Sequence, residues 1–251
     1  MTRVGQGDVS CDPRYLGLKV SLRRGGNHIC GGALISRRLV VTAAYCVYSL
    51  VPYDLTVVSG TSKLTSLTQI SSVGRIVWHE NYTVKNNKRI NDIALLELTE
   101  DLPFDGVNLS SLVLKNETTA DNSSCLITGW GFYGNTSSVS SVMNYFGVFT
   151  TVCDAFEDYE DMEPEMLCAG NQLSGDMSCQ GDVGGPMMCD DYLVGITSYG
   201  GYLCSDSTYP GVYTNVSNYL SWIIDNSSSS LTSNTSLIVT LLVAASMWKF
   251  H

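Results

Sequence analysis

The stretch Ser178-Cys179-Gln180-Gly181-Asp182-Val183-Gly184-Gly185-Pro186 is the most informative part of this 251-residue chain. Six further short motifs surround it, and their order along the chain carries as much information as their residues. These motifs are Cys30-Gly31-Gly32-Ala33-Leu34-Ile35, Thr42-Ala43-Ala44-Tyr45-Cys46, Asn91-Asp92-Ile93-Ala94-Leu95-Leu96, Thr128-Gly129-Trp130-Gly131, Met166-Leu167-Cys168-Ala169-Gly170 and Pro210-Gly211-Val212-Tyr213.

Short apolar and β-branched runs alternate with turn residues, which predicts an antiparallel all-β domain. The predicted strands are at residues 16–22, 33–41, 55–59, 75–78, 93–98, 125–129, 192–198 and 211–215. A polar stretch at 109–124 is the predicted linker between two halves. One helix is predicted at residues 213–225, because its apolar residues recur at helical spacing and would cover one side of the domain. These residues are Val216, Tyr219, Leu220, Ile223 and Ile224.

Charge and cysteine content limit the function and the compartment. The chain has 14 Lys and Arg against 24 Asp and Glu, a net charge of −10, and no basic run, which argues against binding to nucleic acid. Nine cysteines without paired CxxC units argue against a zinc site and favour disulfides in an oxidising, extracytoplasmic compartment. We therefore expect no metal, no other cofactor and no nucleic-acid partner.

Eight Asn-X-Ser/Thr sequons favour an extracellular protein, either secreted or held at the cell surface. Because sequons also arise by chance in a Ser-rich chain, we expect only part of them to carry glycans. The candidates are Asn81, Asn108, Asn116, Asn122, Asn135, Asn215, Asn226 and Asn234. Residues 1–5 contain no apolar signal segment, so we expect a leader that is missing from this sequence or an incomplete gene model.

The composition changes abruptly after residue 225. Residues 226–236 are almost entirely Ser, Thr and Asn, as in a solvated stalk. Residues 237–251 form a hydrophobic tail that is shorter than the ~20 residues of a membrane-spanning helix. Small residues at 227–230, a polar spacer and this tail are typical of a glycosylphosphatidylinositol attachment signal. A C-terminal membrane anchor and a helix packed on the domain are the alternatives.

In order and spacing, the motifs resemble those of the trypsin and chymotrypsin family of serine proteases, over about residues 14–225. The resemblance implies an all-β fold of two antiparallel six-stranded β-barrels with a C-terminal helix. The barrels would lie at roughly 14–110 and 125–212, with the helix at 213–225 and an N-terminal segment at 1–13. It also implies four disulfides, Cys30–Cys46, Cys125–Cys189, Cys153–Cys168 and Cys179–Cys204.

Cys11 has no partner in this scheme. It is either a lone thiol in the N-terminal segment or half of a bridge to another chain or to a missing pro-segment.

The resemblance places Tyr45, Asp92 and Val183 at the three catalytic positions, where the family has histidine, aspartate and serine. An isopropyl group cannot attack a carbonyl. A phenol with a pKa near ~10 is protonated at neutral pH and cannot serve as the base. Asp92 is then expected to be a structural, buried carboxylate, bonded to backbone amides and to the Tyr45 hydroxyl.

The same resemblance assigns the rest of a substrate cleft. The amides of Gly181 and Val183 would form the oxyanion hole. Met177 would lie at the floor of the specificity pocket, where trypsins carry aspartate. A pocket that holds an apolar side chain without cutting it and a partly filled, unused pocket are both open interpretations. The pocket positions are Met177, Ser198, Tyr199, Gly200 and Gly211.

In the family, the counterpart of Asp182 pairs with the amino group that activation cleavage creates. Arg3-Val4-Gly5-Gln6-Gly7 faintly resembles such a cleavage site. The spacing from Val4 to Val20 is slightly longer than the family pattern.

Two functions follow as hypotheses. The first is a non-catalytic serine protease homologue that binds proteins outside the cell, as an adaptor, regulator or decoy for active proteases or their substrates. The second is an active trypsin-like endopeptidase, as family membership alone would suggest. Losing the nucleophile or the base alone costs roughly 10⁶ in turnover in a serine protease, and two such losses here favour the first hypothesis.

Overall fold

The computed structural model of the protein describes residues 17–106, 109–131, 140–153, 164–170, 182–200 and 210–227. Fifteen strands fall within these residues, and their chain order explains the architecture. The first nine are β1 (Lys19–Arg24), β2 (Asn27–Leu34), β3 (Leu39–Thr42), β4 (Leu55–Ser59), β5 (Gln69–Trp78), β6 (Thr83–Lys85), β7 (Lys88–Ile90), β8 (Ala94–Leu98) and β9 (Val113–Leu114). The others are β10 (Ser124–Gly129), β11 (Asn144–Thr151), β12 (Met166–Gly170), β13 (Pro186–Cys189), β14 (Tyr192–Tyr199) and β15 (Gly211–Asn215).

Two closed antiparallel barrels of six strands each form the body of the protein, which confirms the expected fold. The first barrel has the strand order β1-β2-β3-β8-β5-β4 and closes through pairing of β4 with β1. The second has the order β13-β10-β11-β12-β15-β14 and closes through β13 and β14. Closure leaves no unpaired edge within either barrel. The short strands β6 and β7 form a separate hairpin on the first barrel's side.

Several strand bounds differ from those the sequence predicts. The predicted run 33–41 is divided between β2 and β3, because residues 35–38 turn the chain by 180°. β5 begins at Gln69, six residues before the predicted strand. The predicted linker 109–124 contains β9, whose residues pair in parallel with the start of β14. These segments contain exposed or polar residues, so hydrophobicity alone does not predict the bounds of their strands.

Two helices flank the strands. The short helix α1 covers Ala44–Val47, and the C-terminal helix α2 covers Leu220–Ser227 after a 3₁₀ turn at Val216–Tyr219. The predicted helix began at residue 213, but residues 213–215 belong to β15 and pair with β12 and β14. The helical segment packs on the first barrel, where Val216, Tyr219 and Ile223 join its apolar core. Ile224, which shares the predicted apolar face, is instead 40% exposed.

Three of the implied disulfides are present: Cys30–Cys46, Cys125–Cys189 and Cys153–Cys168. Cys125 and Cys189 also lie opposite each other in the β10–β13 ladder, so this bridge crosslinks neighbouring strands. Cys11 and the expected Cys179–Cys204 pair lie outside the described residues.

Three sequon asparagines, Asn81, Asn116 and Asn122, are exposed. Asn215 is 5% exposed, and its side-chain oxygen accepts a hydrogen bond from the Ser217 hydroxyl at 2.9 Å. This burial disfavours a glycan at Asn215, although its sequon is formally complete. The Nδ2 atom of Asn226 donates to the Trp222 carbonyl within α2. The remaining candidates, Asn108, Asn135 and Asn234, lie outside the described residues.

The N-terminal segment, most of the stalk and the hydrophobic tail also lie outside the described residues. Within the described part of the chain, no helix combines the length and apolar character that membrane crossing needs.

A buried ion pair joins the two barrels. The Lys19 ammonium, on β1, lies 3.6 Å from Asp182 Oδ1, and its side chain is fully buried. It also donates a hydrogen bond to the Thr128 carbonyl of β10 and lies 5.2 Å from the centre of the Trp130 ring. The backbone N–H of Gly131 donates to the same Asp182 oxygen at 3.0 Å. One side chain from the first barrel thus holds two segments of the second.

We expect Lys19→Met to lower the free energy of unfolding by about 3–5 kcal/mol, because it removes a buried cation 3.6 Å from the Asp182 carboxylate. Lys19→Met/Asp182→Asn removes both charges and should recover most of the loss. Equilibrium unfolding in urea measures both effects. The matched control is Arg24→Met, which breaks the exposed Arg24–Asp54 pair, also at 3.6 Å, and should cost less than about 1 kcal/mol. Equal losses in Lys19→Met and Arg24→Met would refute a structural role for the buried pair.

Candidate functional site

The structure brings the three triad positions together where the barrels meet. Tyr45 lies in α1, directly after β3, and Asp92 lies two residues before β8, the neighbour of β3. Val183 lies in the turn that precedes β13 of the second barrel. Its carbonyl accepts a hydrogen bond from the Gly31 N–H at 2.8 Å and lies 3.7 Å from Sγ of Cys46. Backbone contacts from the first barrel therefore position Val183 beside α1.

Asp92 is buried, and both of its carboxylate oxygens accept hydrogen bonds. The backbone N–H of Tyr45 donates to Oδ1 at 2.7 Å, and the Ser198 hydroxyl donates to Oδ2. The Thr214 hydroxyl donates to the backbone carbonyl of Asp92 at 2.8 Å. The expected bond from the Tyr45 hydroxyl is not among the hydrogen bonds of Asp92, and the Tyr45 side chain is 52% exposed. Asp92 therefore ties α1, β14 and β15 together.

Burial raises the pKa of Asp92 above its usual range, because the charged form loses hydration. The hydrogen bonds from Ser198 and from the Tyr45 backbone act in the opposite direction, as does the positive charge of Arg89. Loss of hydration is the largest of these effects. The folded state thus binds a proton at Asp92 more tightly than the unfolded chain does.

The Tyr45 ring is covered on one face by Arg89, a residue of β7. The Arg89 guanidinium carbon lies 3.5 Å from the centre of the ring, within cation–π distance. Its Nη1 atom donates a hydrogen bond to the backbone carbonyl of Ser198. Sequence reasoning missed Arg89, because it belongs to a short polar hairpin outside every motif. Arg89 lies only three residues before Asp92, and this closeness to the Asn91-Asp92 motif could have indicated that the hairpin lies beside the site.

Val183 is half-buried, and its side chain packs against the apolar core of the first barrel. The next residue, Gly184, has φ +82°, and a Cβ there would overlap the Thr42 hydroxyl. The turn is fixed further by hydrogen bonds from Gly184 N–H to the Thr197 carbonyl at 2.7 Å and from Gly185 N–H to the Asp182 carbonyl at 2.8 Å. None of the hydrogen bonds among described residues uses the Val183 N–H. Gly181, its expected partner in an oxyanion hole, lies outside the described residues.

Four of the five pocket positions are described. Ser198 and Gly211 are buried, whereas Tyr199 and Gly200 are half-buried at the end of β14. Ser198 faces Asp92, and Tyr199 packs with Cys168 and Val212. Met177, the expected pocket floor, lies outside the described residues. The described positions therefore lie on or beside the neighbouring strands β14 and β15, and Ser198 links them to Asp92.

Neither histidine of the described residues contacts the triad positions. His28 Nδ1 lies 2.9 Å from the Ser21 hydroxyl, and its ring meets Trp130 edge-on. The His79 ring packs against Tyr219 and Trp222, at centroid distances of 5.4 and 5.2 Å, and burial lowers its pKa. Each imidazole is therefore held by other side chains.

We expect Asp92→Asn to stabilise the protein increasingly as the pH rises. A carboxyl whose pKa is raised by folding contributes most to stability when it is protonated, and that contribution is lost as the pH rises from about 4, its pKa in the unfolded chain, through the folded-state pKa. Asparagine keeps an oxygen for the Tyr45 N–H and offers an amide to Ser198, without a charge to bury.

Urea unfolding of both proteins at several pH values between 3 and 7 tests this expectation. The exposed Asp101→Asn serves as the control. The difference in stability between Asp92→Asn and the native chain should grow as the pH rises. A difference that stays constant or shrinks would contradict burial as the main cause of the raised Asp92 pKa.

Comparison with known proteins places this geometry in a family. The trypsin family model matches residues 6–223. Trypsin beta of Drosophila erecta is 34% identical over 214 residues, which cover 83% of this chain and 82% of that protein. The vitellin-degrading protease of Bombyx mori is 35% identical over 213 residues, which cover 83% and 80%.

A solved structure agrees with the sequence relatives. Neuropsin, a serine protease expressed in the limbic system of mouse brain, superimposes with a TM-score of 0.78 at 30% sequence identity. The match covers 86% of this chain and 96% of the neuropsin chain. Together, the two barrels, the ordered motifs and these matches lead to one conclusion: the chain belongs to the trypsin family of serine proteases.

Proposed function

We propose that this chain is a non-catalytic member of the trypsin family that acts outside the cell by binding other proteins. The observation that carries the proposal is the content of the site: Val183 and Tyr45 stand at the nucleophile and base positions, around an Asp92 that is already hydrogen-bonded. Acyl transfer requires a nucleophilic atom and a base that takes its proton. Neither side chain supplies these functions.

A relocated nucleophile finds no support among the described residues. Ser198 is the hydroxyl that contacts Asp92, but both residues are buried and lie beneath the cleft surface. A peptide carbonyl would have to enter the protein interior to reach that oxygen. The Thr42 hydroxyl donates to the Gly31 carbonyl at 2.8 Å and is also buried.

The contacts of Arg89 also support the proposal. Its guanidinium covers the Tyr45 ring and donates to the Ser198 carbonyl, so a fixed cation lies beside the position of the base. A cation at this point opposes the positive charge that a general base acquires when it accepts a proton. The same group suits recognition of anions.

Disulfides and the retained scaffold favour an extracellular role as an adaptor, a regulator of active proteases, or a decoy that occupies their substrates. Three disulfides persist in an oxidising compartment, which is where such partners are found. The rival function is an active trypsin-like endopeptidase, which the printed names of the relatives would suggest. Activity measurements separate the two.

We expect the purified chain to remain unlabelled by a fluorophosphonate probe and to leave a broad peptide library uncut, because Val183 offers no oxygen to the probe. Labelling is read by intact mass, cleavage by mass spectrometry of the library. Covalent labelling of the native chain within residues 178–186, or cleavage abolished by that probe, would overturn the proposal.

Tyr45→His/Val183→Ser is expected to gain probe labelling, slowed by the neighbouring Arg89 cation, because it restores a base and a nucleophile beside the hydrogen-bonded Asp92 carboxylate. The single variants Tyr45→His and Val183→Ser are the controls and should label far more slowly, since base and nucleophile act as a unit. A silent double variant would mean that the cleft, and not only these two side chains, has changed.

A further inference from the structure

Two contacts orient the guanidinium of Arg89. The face of its guanidinium lies on the Tyr45 ring at 3.5 Å, and one edge is anchored through Nη1 to the Ser198 carbonyl. These contacts fix the plane of the group by two independent means. A guanidinium whose orientation is already fixed loses less entropy when it binds an anion.

Most of the hydrogen-bonding capacity of Arg89 is unused. The guanidinium carries five N–H donors, and the Ser198 carbonyl is the one acceptor it has among the described residues. The nearby Asp92 carboxylate accepts from Tyr45 and Ser198 instead and forms no ion pair with Arg89. The half-buried group therefore presents a donor fork suited to bidentate binding of a carboxylate.

Two lysines increase the positive charge beside Arg89. Lys85 and Lys88 lie directly opposite each other at the tip of the β6–β7 hairpin. Between them, Asn86 and Asn87 have φ values of 50° and 62°, as in a tight two-residue turn. The overall charge of the chain is −10, so this cationic hairpin contrasts with the rest of the chain.

Exposed aromatic side chains are present at Tyr45, which Arg89 covers, and three residues further along at Tyr48. Tyr45 and Tyr48 are 52% and 53% exposed. Tyr48 contacts Trp78 and Tyr82, at centroid distances of 5.7 and 5.4 Å, so the exposed rings have a packed base. Burial raises the pKa of Tyr82 to about 12, which keeps its phenol neutral. Exposed, fixed aromatic rings give protein partners a large contact area at a low entropic cost.

We propose that Arg89, stacked on Tyr45, is a receptor for a side-chain carboxylate in an acidic segment of a protein partner, with the hairpin lysines adding positive charge beside it. This inference rests on the proposed non-catalytic function and names the chemistry of its partner. A polypeptide is favoured over a small anion because the cations are spread along a hairpin and adjoin exposed aromatic rings. Successive acidic side chains can match both features.

The test uses the full chain and a fluorescein-labelled decapeptide of alternating Glu and Ser, with binding followed by fluorescence anisotropy. We expect the native chain to bind this peptide and not its counterpart with Gln in place of Glu. Arg89→Gln should weaken binding at least about tenfold, because it removes the charge and the fork. Arg89→Lys should weaken binding of the peptide by roughly several-fold, because an ammonium keeps the charge but not the planar fork.

Lys63→Gln is the matched control, because it removes one positive charge from an exposed site on the same barrel. It should change the affinity less than about twofold. Thermal unfolding verifies that each variant is folded, and Arg89→Lys retains a cation over Tyr45 if Arg89→Gln does not fold. Equal weakening by Arg89→Gln and Lys63→Gln, or equal binding of the acidic and neutral peptides, would overturn the proposal.

Free glutarate, added at the same carboxylate concentration, separates a polypeptide ligand from a small anion. Displacement as efficient as that by unlabelled peptide would overturn the assignment to a protein partner. Mass spectrometry of the bound peptide separates this inference from the proposed function. Cleavage would refute the non-catalytic function, whereas an intact peptide that does not bind would refute the Arg89 receptor alone.

Discussion

The buried Lys19–Asp182 pair is the contact on which the geometry of the site depends. Its ammonium comes from the first barrel, while the carboxylate belongs to the turn that carries Val183 in the second. A Cβ at position 129 would overlap the Asp182 carboxylate, so Gly129 makes the space in which the pair sits. Because both charges are buried, separating them would be costly, so the pair resists displacement of one barrel against the other. The position of the Val183 amide follows from this constraint.

The barrels could be predicted from the sequence because their signals are local. Runs such as 93–98 and 125–129 combine β-branched residues, alternation and flanking turns, and the motifs fix their order along the chain. The β6–β7 hairpin escaped prediction because polar residues and the Asn86-Asn87 turn dominate it. The partner of Lys19 escaped as well, since no local pattern pairs it with a carboxylate 163 residues away.

Within the site, the sequence predicted which positions differ from the catalytic triad, but not all of the contacts that their side chains make. Tyr45, Asp92 and Val183 were found because each interrupts or completes a motif. The expected bond from the Tyr45 hydroxyl to Asp92 was wrong, since only the direction of the side chain decides between the phenol and the backbone N–H. Asp92 has a structural role that does not depend on a histidine. It accepts hydrogen bonds from α1 and β14, so its loss would leave buried donors unpaired.

A catalytic cleft and a binding surface place opposite demands on the position next to Asp92. Catalysis needs a group there that accepts a proton and carries the resulting positive charge only in the transition state. Arg89 carries its positive charge permanently and is already hydrogen-bonded and stacked. Such a cation disfavours protonation of a neighbouring base. It attracts carboxylates at long range and can then form charge-assisted hydrogen bonds with them. In the proposed binding function, Tyr45 supports Arg89, and the permanent charge that would hinder a general base would favour binding of a carboxylate.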